Sequence, residues 1–158
     1  MKKTLLVLAL ASFATSVSAD SLIYGGAMVG QSDYSGETAT SAEIHIGTGL
    51  LPFIGVEAGY IDHGTFDIGA DEFSADSIYA AIRPSMDFGP LHVYGRVGAH
   101  SWNSELGAVK DDGVDPMYGV GLEYFVFGPL AVGAAYHVYK MDNDDVKNLS
   151  LTATFHFL

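Results

Sequence analysis

The feature that most constrains this chain is a two-residue rhythm. Eight stretches read as extended runs: Leu22–Gln31, Ser41–Leu50, Phe53–Asp62, Ser77–Asp87, Leu91–Asn103, Pro116–Phe127, Leu130–Met141 and Asn148–Leu158. Side chains on a strand alternate between two faces, so a period of two assigns each run an apolar and a polar side. Helical periodicity is scarce. The third run puts Ile54, Val56, Ala58 and Tyr60 on one side, Gly55, Glu57 and Gly59 on the other. The fifth sets Val93, Gly95, Val97 and Ala99 against His92, Tyr94, Arg96, Gly98 and His100. The eighth sets Leu149, Leu151, Ala153, Phe155 and Phe157 against Ser150, Thr152, Thr154 and His156. Each run is about 10 residues or slightly more, the length with which a tilted strand crosses a bilayer.

The connections are read as sorted. Leu50–Phe53, Phe88–Pro90 and Phe127–Pro129 are tight turns with Gly or Pro at the corner, whereas residues 32–40, 63–76, 104–115 and 142–147 read as long polar loops. Short turns at one end, long loops at the other and an even strand number predict an all-β, eight-stranded, antiparallel, up-and-down transmembrane barrel. The glycine-rich polar face suits a narrow lumen, and the apolar face then meets lipid. With both termini in the periplasm, outward-facing Tyr60, Tyr118 and Tyr136 fall near the outer interface, and Tyr124, Phe155 and Phe157 near the inner one, two aromatic girdles.

The start of the chain fits this picture. Lys2 and Lys3 precede an apolar run from Thr4 to Ala14, and Val17 and Ala19 hold the positions required for cleavage. Residues 1–19 are expected to be a secretory signal peptide and residues 20–158 the barrel domain. The run is too short for a membrane anchor. The absence of Cys excludes disulfide scaffolds and thiol enzymes. Nineteen Asp and Glu against seven Lys and Arg exclude nucleic-acid binding through a basic patch.

Four segments, Tyr24–Tyr34, Gly55–Tyr60, Leu91–Gly98 and Tyr118–Tyr124, resemble the first, third, fifth and sixth strands of the OmpA-like outer-membrane β-barrel family. The resemblance implies a barrel closed or nearly closed to solutes, in the outer membrane of a Gram-negative cell. It also implies biogenesis through periplasmic chaperones and the barrel-assembly machinery. Two features depart from the family. The sequence ends with its eighth run, without the C-terminal peptidoglycan-binding domain that members often carry. Outward Phe157 is followed by Leu158, one residue past the usual terminal Phe.

The candidate site lies in the lumen. Glu57, Arg83, Arg96 and Glu123 share inward parity, and buried charges must pair. By resemblance, Glu57 and Glu123 match the family's inward acids and Arg83 one of its bases. Gly133 stands where the family has a seventh-strand base, leaving Arg96 as the second cation. These pairs are expected to fill the interior. Five of the six histidines, His45, His92, His100, His137 and His156, are also inward, as hydrogen-bonding lumenal groups. They come from different strands and heights, so no metal and no cofactor is expected.

The expected function is that of a small non-enzymatic envelope protein. Its acidic loops would contact lipopolysaccharide, through shared divalent cations, and an external ligand such as a host surface. A closed barrel has no free edge, so a monomer is expected. Two alternatives stand. One is a lipid A-modifying barrel enzyme, with Ser104, His100 and Glu105 as its triad, since Ser101 points away from His100. The other is a narrow ion-conducting pore.

Overall fold

The computed structural model describes residues 23–142 and 144–157. The expected leader, residues 1–19, lies outside them, as do Leu22 and Leu158.

Eight antiparallel strands form one closed barrel: β1 (Ile23–Tyr34), β2 (Glu37–Leu51), β3 (Ile54–Ile68), β4 (Asp71–Phe88), β5 (Leu91–Leu106), β6 (Val109–Phe127), β7 (Leu130–Met141) and β8 (Asp144–Phe157). Each pairs with its sequence neighbours, and β1 closes on β8 from Ile23↔Phe157 to Tyr34↔Val146. Closure leaves no unpaired edge, the only way a sheet satisfies its backbone in lipid.

The alternation fixes which side faces out. Ile44, Ile78, Val97, Val120, Leu149 and Leu151 are each more than half exposed. An apolar belt of that extent is unsuited to water and suited to lipid. On the inner side, glycines make room for rings. A Cβ at Gly47 would lie 2.2 Å from Tyr24 Cζ, and one at Gly121 would lie 2.4 Å from Tyr94 Cζ. The strand pairs Tyr24↔Gly47 and Tyr94↔Gly121 put those rings directly over them.

The four long loops of the sequence reading are not loops. The strands run 12 to 19 residues and continue past the lipid belt as β-hairpins. The ladder continues to Tyr34↔Glu37, Ile68↔Asp71, Leu106↔Val109 and Met141↔Asp144, so each outer connection is two residues long. The physical reason is twofold. Ser35 and Gly36 both take positive φ, the geometry of the tightest hairpin turn, and Gly69 and Gly107 supply positive φ at two others. In addition, the extensions have something to bury. Phe66, Phe73, Ala75, Trp102, Met117, Tyr139, Met141 and Val146 turn inward and form an apolar cluster across the outer end of the lumen, with Tyr34 and Ile68 packed against it.

Candidate functional site

Below that cluster, β2 to β6 carry five buried acidic and basic side chains into one layer. Glu57 on β3 lies between two guanidiniums. Arg83 Nε on β4 is 3.6 Å from Glu57 Oε2, and Arg96 Nη2 on β5 makes a close ion pair with Glu57 Oε1. Arg83 Nη2 also donates to Glu123 Oε2 on β6 at 3.0 Å. All four side chains are almost fully buried.

The fifth member, Glu43 on β2, was missed by the sequence reading. Arg96 Nη1 donates to Glu43 Oε1 at 2.8 Å, and the Tyr79 and Tyr139 hydroxyls donate to the same carboxylate at 2.7 and 3.2 Å. The signal was present: Glu43 lies two residues before His45, on the same inward face. Thus three carboxylates face two guanidiniums, and hydroxyls hold the surplus. Tyr79 also reaches Glu57 at 2.9 Å, and Thr154 and Thr152 donate to Glu123 Oε1 at 2.5 and 3.2 Å. Arg83 stacks 3.8 Å from the Tyr94 ring centroid and 4.6 Å from that of Tyr24, so rings cap the cations where carboxylates do not.

The histidines line the lumen on either side of this layer. His92 and His156 lie 6.0 Å apart by ring centroid, beside Tyr24 and Phe125, and His92 Nδ1 bonds Asp87 at 2.6 Å. His45 Nδ1 lies 3.7 Å from Glu43. His137 is fully buried with neither ring nitrogen hydrogen-bonded, its ring centroid 6.2 Å from that of Tyr139. His63 corrects the expectation, which left it in a loop; it too is fully buried. A bulge between Asp62 and Gly64 keeps it in the wall, and its Nε2 bonds Ser77 Oγ at 3.0 Å. His100 Nδ1 approaches the same Ser77 Oγ at 3.0 Å, and its Nε2 donates to the Lys140 carbonyl at 2.7 Å. Among the described residues no three His, Asp or Glu side chains are arranged as a metal-ligand set.

The Ser104, His100 and Glu105 alternative does not assemble. Both His100 nitrogens are engaged within the lumen, while Ser104 Oγ donates to the Asp111 carbonyl and Glu105 pairs with Lys110. On the outside, Tyr60, Tyr118 and Tyr136 are each exposed by more than two-fifths, Tyr124 is half-buried, and Phe155 and Phe157 pack against each other at 4.7 Å.

Residues 4–157 match the family described as outer membrane protein beta-barrel domain. The chain belongs to that family. It is accordingly a protein of the bacterial outer membrane. Solved structures similar to this outer membrane barrel include Neisserial surface protein A, with 17% identity, a TM-score of 0.66, and coverage of 85% of this chain and 96% of that one. The attachment invasion locus protein Ail of Yersinia pestis, in complex with the heparin analogue sucrose octasulfate, is 15% identical at a TM-score of 0.61, covering 87% and 98%. The outer membrane enzyme PagL is 14% identical at a TM-score of 0.52, covering 85% and 99%. These likenesses are of fold. No curated protein sequence matches the chain.

Proposed function

We propose that this outer membrane barrel is a non-enzymatic envelope protein whose sealed body anchors four acidic hairpins for contacts outside the cell. The observation that carries the reading is how the interior is spent. The ion-pair layer spans the middle of the lumen and the aromatic cluster closes its outer end, so the polar edges of the hairpins are what remains to interact. Small barrels filled by side chains conduct no bulk solute. Of the three bases outside the lumen among the described residues, Lys110 and Lys140 are paired with Glu105 and Asp145, which leaves the hairpins strongly acidic. They suit lipopolysaccharide through bridging divalent cations, and host or environmental surfaces of basic character. Ail is described in complex with a sulfated heparin analogue; the charge here has the opposite preference.

One observation favours the enzymatic alternative: Ser77 Oγ lies within 3.0 Å of two imidazole nitrogens, in a fold shared with PagL. Ser77 is fully buried on the lumenal side, however, where no acyl chain in the leaflet reaches it. The deciding experiment is the lipid A mass spectrum of isogenic cells with and without the protein. An unchanged spectrum is expected. A shifted acylation pattern that disappears with Ser77→Ala would overturn the non-enzymatic reading.

A further inference from the structure

The hairpin tips border a half-open cavity of about 280 Å³ at the outer mouth, directly above the apolar cluster. Three aromatic rings, Tyr34, Phe73 and Trp102, stand in its walls beside Leu106, Val109 and Met141. Tyr34 and Phe73 stack at 4.4 Å with 15° between planes. Trp102 forms another wall, its indole N–H held by Asp115 Oδ2 at 2.8 Å. The rim is anionic, with Asp111 near the start of β6, Asp142 in the β7–β8 turn, Asp144 at the start of β8 and no Lys or Arg among the lining residues. The nearby cations do not fill it, since Lys110 and Lys140 lean onto Glu105 and Asp145.

Rings beneath carboxylates select a cation with an apolar stem. A guanidinium or ammonium gains from the ring faces and from the acids together, while an anion is repelled. The volume is smaller than that of most small-molecule sites and suits one long side chain rather than a drug-sized ligand. We infer that the outer mouth is a docking cavity for a basic peptide, taking one Arg or Lys side chain between the Tyr34, Phe73 and Trp102 rings and the Asp111, Asp142 and Asp144 carboxylates. The inference rests on the reading that the hairpins face outward and names the class of partner they meet.

Trp102 is the sole tryptophan of the chain, so the cavity carries its own reporter. The mature protein, refolded in an uncharged maltoside detergent, is titrated with an acetylated and amidated Gly-Arg-Gly-Arg-Gly peptide. A saturable change in Trp102 emission is expected. The Asp111→Asn/Asp144→Asn pair is expected to weaken binding at least tenfold. The Asp67→Asn/Glu72→Gln pair removes the same charge from the β3–β4 tip at two residues that do not line the cavity, and is expected to change it less than twofold. No saturable change would overturn the proposal. Equal losses in the two pairs would reduce it to general attraction by an acidic surface and overturn it likewise. Tighter saturation by magnesium chloride at matched ionic strength would reassign the carboxylates to a divalent cation. Fluorescent peptide on intact cells separates the two readings. Binding to purified protein without binding to cells supports the cavity and overturns its outward placement.

Discussion

Arg83 and Arg96 stand opposite one another on adjacent strands. The β4–β5 ladder runs to Ile82↔Val97, resumes at Ser85↔Tyr94, and places the two arginines across the gap between. Pro84, which has no N–H to offer, occupies that gap beside Gly95, with a Cβ built on Gly95 reaching Pro84 Cγ at 3.4 Å. Like charges directly opposed on a sheet repel, and in a buried lumen water does little to screen them. Glu57 resolves the conflict by forming an ion pair with both guanidiniums, with Glu123 and Glu43 taking the outer side of each.

Glu57 is therefore the acid whose removal costs most. Glu57→Gln keeps the shape but leaves two cations sharing the remaining carboxylates. Breaking one partner out of a buried charge network costs about 3–5 kcal/mol. Urea unfolding of the refolded barrel, followed on heat-modified gels, should show a loss of that size. Glu43→Gln, whose carboxylate touches one arginine, should lose less, and equal losses would refute the bridging role of Glu57.

The outer aromatic cluster makes a second prediction. Phe66 and Phe73 are buried, 5.9 Å apart, and both contact Tyr34. Phe66→Ala should destabilise the hairpin extensions by about 3–5 kcal/mol, because a large buried ring leaves a cavity. Since the extensions lie beyond the lipid belt, protease should cut the β3–β4 hairpin faster while the membrane-embedded strands stay protected. Unchanged cleavage would mean that the ladder alone holds the extensions.

Much of this was legible in the alternation, and the exceptions have a local cause. Parity alone places Glu57, Arg83, Arg96 and Glu123 on the inward face where the ion-pair layer forms. It fails at β3. The bulge at Asp62–Gly64, closed by the Gly64 N–H on Asp62 Oδ1 at 2.8 Å, switches the inward face from odd to even positions. Up to His63 the odd residues point in; beyond it Phe66 does. A reader of a strict two-residue rhythm sees the pattern break there and writes a loop. Polar outward residues such as Asp62, Asp67 and Asp76 strengthened that impression, although inward neighbours such as Ile61, Phe66 and Ala75 were apolar. The ion-pair partners of each charge were not legible at all, because they depend on register between strands.

The lipid-facing side offers a third prediction. Leu151 is exposed on β8 between Val29 and Ala134. Leu151→Lys should cost about 2–4 kcal/mol in vesicle-refolded protein, the penalty for a cation near the bilayer midplane. The same substitution in a soluble sheet would be nearly neutral, so an unaffected unfolding midpoint would argue against lipid contact at this position.

The last prediction concerns Asp115 and the Trp102 reporter. Asp115 Oδ2 accepts the Trp102 indole N–H at 2.8 Å and the Asp142 backbone N–H at 3.1 Å, tying the β5–β6 and β7–β8 hairpins together. These two donors favour the ionised carboxyl and hold its pKa below the ordinary aspartate value. A depressed folded-state pKa means that the tie contributes fully above the unfolded value, near 3.8, and is lost as pH falls through the lower, folded one. Trp102 emission should therefore stay constant from neutral pH to about pH 5 and change only in the acid limb, below pH 4. Asp115→Asn removes the charge but keeps the shape. Its emission at neutral pH should already lie toward the acid form of the parent, and its own acid limb should flatten. If the variant still shows the full acid transition, the change belongs to another carboxylate and the Trp102–Asp115 bond does not join the two hairpins.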